Sequence, residues 1–78
     1  MFITTLDKIK INKTVKIINI NSNLEIKNRL EELGFIKGNL VEVLFKSPFN
    51  DPIAYKIKGS TIALRKDISK NIVVMDNA

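Results

Sequence analysis

A protein nucleophile needs a base beside it and a third group to orient that base. In these 78 residues there is no histidine and no cysteine, so Ser, Thr, Lys, Asp, Glu and Tyr are the remaining candidates. The commonest general base and the commonest transition-metal ligand are therefore absent, and so are thiolates and disulfides. Glu31 and Glu32 are neighbours on an expected helix, where successive side chains diverge by about 100°. They do not form a carboxylate dyad. Asp7, Asp51 and Asp67 each fall at an expected turn, where aspartate commonly bonds the local backbone. An all-oxygen cation site needs several converging carboxylates, and no such spacing occurs. Gly34-Phe35-Ile36-Lys37-Gly38 departs from a phosphate loop, because its lysine precedes the second glycine and the segment leaves a helix. The expectation is a binding protein with no catalytic residues, no cofactor and no dedicated metal site.

The residue most open to a binding role is Phe49, set among turn formers in Ser47-Pro48-Phe49-Asn50-Asp51-Pro52. It either caps one end of the fold or stands out as an anchor for a partner, as aromatic side chains often do. The two prolines would pre-order such an anchor and lower its entropic cost on binding.

The elements that must position these residues follow from pattern. Residues 4–10 read as a short turn or 3₁₀ segment with Leu6 and Ile9 on one side. Residues 14–20 read as a strand in which Val15 and Ile17 share one face and Ile18 and Ile20 the other. That break in alternation implies a bulge, or a strand covered on both sides. The clearest helix runs from Ser22 to Leu33. Ser22 with Glu25 fits a capping box. Ile26, Leu30 and Leu33 form one apolar stripe, and Glu25–Arg29 and Lys27–Glu31 are oppositely charged i, i+4 pairs. Gly34 ends the helix in the left-handed conformation, with Phe35 folding back on Leu30. Residues 40–46 form a strand with Val41, Val43 and Phe45 facing one way. Residues 53–58 place Ile53, Tyr55 and Ile57 inward. A Gly59-Ser60 turn leads to residues 61–65, with Ile62 and Leu64 inward. A 3₁₀ turn over 66–70 and a strand over 71–75 follow, and the last residues are expected to fray. Five short strands and one helix favour closure into an all-β, SH3-like small barrel with the helix packed on it, because closure removes exposed edges.

Length allows one domain, residues 1–78, with no linker and no internal repeat. A hydrophobic content of 45% supports one compact core and is too high for a disordered composition, and 27% charged residues keep the chain soluble. With no disulfide, stability must come from packing or from a homo-oligomer. The longest apolar run, Ile72-Val73-Val74-Met75, is far below the roughly 20 residues of a membrane-spanning helix. The first residues lack a signal-peptide pattern, so the expected address is the cytoplasm with no direct membrane insertion. The net charge of +5 suits an anionic partner. The 11 Lys, 2 Arg, 13 Ile and 9 Asn are also what an AT-rich genome writes, and the lysines are spread along the chain.

From Arg29 to Val74 the order of residues is similar to the FeoA family. The pattern comprises Arg29-Leu30, Leu33-Gly34, Gly38 before Val41 and Val43, Pro48, Asp51-Pro52, Gly59, Ala63-Leu64-Arg65 and Ile72, with Leu6, Asp7 and Ile9 upstream. Lys13 stands where that family usually has glycine. The resemblance implies an SH3-like barrel that acts beside FeoB, the membrane ferrous-iron transporter with a cytoplasmic GTPase domain, and places it at the inner face of the cell membrane through that partner. On physical grounds the partner-contact candidates are Arg29, Phe35, Phe49, Asp51 and Arg65. Two other readings carry weight. One is a basic barrel that binds nucleic acid, which would need clustered cations and stacking aromatics. The outward Lys56 and Lys58 have no such ring beside them, so nucleic acid is not expected. The other is a stand-alone relative of the barrel domain of metal-dependent repressors.

Overall fold

The computed structural model describes residues 1–77. The chain runs β1 (Phe2–Thr5), a 3₁₀ turn (Leu6–Lys8), β2 (Thr14–Ile20), α1 (Leu24–Glu32), β3 (Leu40–Lys46), β4 (Ile53–Ile57), β5 (Ser60–Leu64), α2 (Lys66–Ser69) and β6 (Ile72–Asp76). The six strands make one antiparallel sheet in the order β1-β6-β2-β3-β4-β5. Buried side chains from β2 through β6 meet in one cluster with Leu6, Ile9, Leu30 and Phe35. A sheet whose five successive strands share one core must curl around it, which is the small-barrel arrangement. The expected closure is not complete, however. Among the described residues no ladder joins β1 to β5, so both remain edges.

Two bulges supply the curl. In β2 the register slips between Ile17 and Asn19, so Val15, Ile17 and Ile20 are all buried despite the broken alternation. In β3 a second slip falls between Val43 and Phe45. The extra residue turns the following side chains over. Phe45, expected inward with Val41 and Val43, is 57% exposed as a result.

Local chemistry sets the helix ends. The N-cap of α1 is Asn23, whose side chain accepts from the Ile26 backbone N–H at 2.9 Å. The capping box on Ser22 does not form, because asparagine is as good a cap as serine and lies one residue further on. At the other end Gly34 adopts φ +109°. Its N–H bonds the Glu31 carbonyl, and the Phe35 N–H reaches back to the Leu30 carbonyl at 2.9 Å. These two bonds satisfy carbonyls that the helix end leaves free, and they swing Phe35 under Leu30. Neither Glu25–Arg29 nor Lys27–Glu31 closes as an ion pair among the described residues. Such exposed pairs gain little against side-chain entropy.

Three further expectations are corrected. The β4–β5 hairpin turns on Lys58 and Gly59, both with positive φ, because Ile57 pairs with Ser60. Positive φ at both central positions is the turn whose twist suits paired strands. The segment after Leu64 is a short α-helix rather than a 3₁₀ turn. The strand at the end extends to Asp76, which is buried and ion-paired to Lys13 Nζ at 2.9 Å. Lysine is accommodated at position 13 because the left-handed residue of the turn is Asn12, at φ 72°.

Candidate partner-binding site

Helix α1 carries more apolar side chain than its seat on the sheet covers. Of the stripe Ile26, Leu30 and Leu33, only Leu30 is fully buried, Ile26 is half-buried, and Leu33 remains 43% exposed. The uncovered part does not face open water as scattered residues. It lines a groove of about 220 Å³ with Leu64 of β5 and Ile68 of α2 across from it. Its one charged wall is Arg29, exposed and without an ion-pair partner among the described residues. An apolar floor beside a free guanidinium can take an apolar side chain next to a carboxylate, and arginine's planar fork suits that carboxylate in two-point contact.

The far wall is held by Asp51. Its Oδ1 accepts from the Lys66 N–H at 2.9 Å. Arg65 is the N-cap residue of α2 and its side chain caps nothing, so an aspartate 15 residues away supplies the cap. The expected Asp51→Ala result is a loss of about 1 kcal/mol, the usual cost of a removed cap. Chemical denaturation checks it, and an unchanged unfolding midpoint would show that α2 stands without this bond.

The sequence candidates thus separate. Arg29 lines the groove. Asp51 and Arg65 meet at the start of α2, which supplies Ile68 to the groove. The Arg65 guanidinium lies 3.7 Å from Asp67, with both side chains exposed, a geometry that contributes little. Phe49 is 91% exposed at the tip of a loop closed by the Asn50 N–H to Ser47 carbonyl and Ser47 N–H to Pro52 carbonyl bonds. It does not cap the barrel. Phe35 is fully buried and offers no surface to a partner. Leu33, Leu64 and Ile68 were missed as site residues. Their apolar character looked sufficient for core packing, and the only signal was a helix stripe wider than one contact line. Among the described residues no group of three or more acidic side chains converges as a metal site, and no helix is long and apolar enough to cross a membrane.

The comparisons with known proteins agree with this fold. A model of the FeoA domain matches residues 4–76. A protein of Campylobacter jejuni named "Putative Fe(2+) transport protein A" is 36% identical over 70 residues, covering 90% of this chain and 95% of that one. The FeoA-like protein of Clostridium acetobutylicum superposes with a TM-score of 0.89 at 27% identity, over 100% of this chain and 91% of the other. The FeoA of Stenotrophomonas maltophilia, an SH3 domain protein solved with zinc, gives a TM-score of 0.82 at 29% identity over 92% and 89% of the two chains. A manganese-dependent transcriptional repressor has a similar fold in one part, with a TM-score of 0.81 at 18% identity over 95% of this chain and 41% of that one. Matched from Thr4 to Asp76 and sharing its small-barrel fold with FeoA structures along its length, the chain belongs to the FeoA family.

Proposed function

We propose that this protein is a cytoplasmic, non-catalytic accessory of ferrous-iron uptake that binds a FeoB-type membrane GTPase transporter through the groove between α1 and α2. Family membership supports the iron-uptake setting. The observation that carries the binding reading is the groove itself: Ile26, Leu30, Leu33, Leu64 and Ile68 around the unpaired Arg29. Water-excluding apolar contact with a buried arginine anchor is the composition of an interface centre. Arg65 and Phe49 belong to the rim of the same face in this proposal, through α2 and the loop that Asp51 ties to it.

Titration of the full chain against the transporter's cytoplasmic region, and against the intact transporter in detergent, tests the proposal. The wild type is expected to bind at least one of the two. The double variant Arg29→Glu/Leu33→Asp is expected to bind at least tenfold more weakly, since it reverses one charge and buries another, each worth more than about 1.4 kcal/mol at an interface centre. Both side chains are exposed, so the circular dichroism spectrum should not change. A folded wild type that binds neither preparation overturns the partner, and a double variant that binds like the wild type overturns the groove.

A further inference from the structure

The lysines that look scattered in the sequence converge at the opposite edge of the sheet. Lys8, Lys10 and Lys13 line one shallow groove with Phe2, Ile9 and Asp76. Lys13 is neutralised by Asp76. Lys8 and Lys10 are exposed and unpaired among the described residues. The adjacent acid, Asp7, accepts a hydrogen bond from Thr5 Oγ1.

The strand beside this groove is the free edge β1. Its side chains alternate across the sheet. Phe2 turns toward the lysine groove, and Ile3, 62% exposed, heads the other face. There Ile3 faces Met75, Met75 faces Lys16 and Lys16 faces Leu40, so one lysine sits in an outward row of three apolar chains. Phe2, Leu40 and the nearby Ile11 are also exposed. Single exposed apolar residues are ordinary. Several of them along one edge strand and its neighbours, with lysines on both faces, mark a docking surface.

The chemistry favours a lipid surface over an acidic protein. Every unpaired cation here is lysine, a point charge on a flexible apolar stem that can lie along an interface while its ammonium reaches polar groups. A plane of anionic headgroups attracts such charges without asking for fork geometry. A structured carboxylate site is better matched by arginine, and both arginines of the chain lie elsewhere, on α1 and before α2. The edge also carries exposed apolar chains on both faces of one strand rather than in an enclosed pocket. We propose that the β1 edge and its lysine groove adsorb to anionic phospholipid headgroups, holding the protein at a membrane surface independently of the α1–α2 groove.

Co-sedimentation of the full chain with vesicles tests this. Vesicles containing phosphatidylglycerol are expected to capture at least tenfold more protein than phosphatidylcholine alone, and about 1 M salt should release it. Lys8→Gln/Lys10→Gln is expected to weaken capture roughly thirtyfold, at about one charge–surface attraction per lysine. Ile3→Ser should weaken it further, while Arg29→Glu/Leu33→Asp should leave it unchanged. Equal capture by the two lipids, no capture at low salt, or undiminished binding of the lysine variant overturns the proposal. Loss of transporter binding by Lys8→Gln/Lys10→Gln, with phosphatidylglycerol binding absent in the wild type, would assign the edge to a protein partner instead.

Discussion

Phe35→Ala is expected to cost about 3–5 kcal/mol of folding stability, the usual range for truncating a buried phenylalanine to alanine. Against a total of about 5–15 kcal/mol for a small domain, that is a large share of the stability. The size follows from position. The bonds after Gly34 drive the ring under Leu30, where it is fully buried among Ile, Leu and Val side chains of the single core. A chain this short has no second core to share the loss. The backbone that aims the ring is equally constrained: a Cβ on Gly34 would come within 3.1 Å of Lys58 Cγ, at a φ that side-chain-bearing residues rarely adopt. Urea unfolding checks the prediction. Phe35→Leu should lose much less, and a loss below about 1 kcal/mol for Phe35→Ala would mean that this ring is not the keystone of the helix end.

Tyr55 should resist ionisation until well above the normal phenol range. Burial in the core pushes its pKa up to about 12 from 10.0. The nearby Ser69 hydroxyl pulls it partly back down, and the weaker effects of the Asp7 and Asp51 charges push it up. Ser69 is the polar neighbour of the ring, although neither Tyr55 Oη nor Ser69 Oγ has a hydrogen bond of ordinary geometry. A phenol whose pKa is raised on folding binds its proton more tightly in the folded state. Below pH 10 both states are protonated and the contribution is constant. Between pH 10 and about 12 the unfolded chain loses the proton and the folded chain keeps it, so stability falls as pH rises. The loss amounts to a few kcal/mol at the top of that window, at about 1.4 kcal/mol per pH unit. This is the only tyrosine, and there is no tryptophan, so tyrosinate absorbance reports one residue. Tyr55→Phe isolates the effect, because its stability should fall less steeply over this window than that of the wild type. Equal slopes in the two proteins, or tyrosinate forming near pH 10 in the folded state, would contradict the burial argument.

The two surfaces place different demands on the fold. The α1–α2 groove exists because the helix is seated by Leu30 and the following Phe35, with Ile26 only partly buried against the core, leaving the rest of its stripe uncovered. Phe35→Ala should therefore impair transporter binding as well as stability, whereas the β1 edge, anchored through β6, should respond only to loss of the whole fold. In the proposed arrangement the β1 edge meets the lipid and the α1–α2 groove meets the transporter, and the two sets of lining residues do not overlap.

What the amino-acid order alone determined is whatever neighbours along the chain decide. Alternation set the inward faces of β4 and β5, and its break in β2 announced the bulge at Ile18. Gly34 marked the helix stop with Phe35 folding back, and the FeoA order of residues anticipated the small barrel. Each of these is a short-range matter of period, cap or turn. What only the tertiary structure decided depends on partners far apart in sequence. β1 is a strand because β6, some 70 residues later, offers its backbone. Phe45 faces out because a bulge precedes it. Asp51 is a cap because α2 begins beside its loop. Leu33 lines a groove because β5 and α2 stop short of covering it. Lys8, Lys10 and Lys16 flank one edge because the sheet folds their segments together. The reason is common to all five: backbone propensity and side-chain period are written locally, but which surface a side chain finally meets is settled when distant strands choose their register, and a slip of one residue turns every later side chain over.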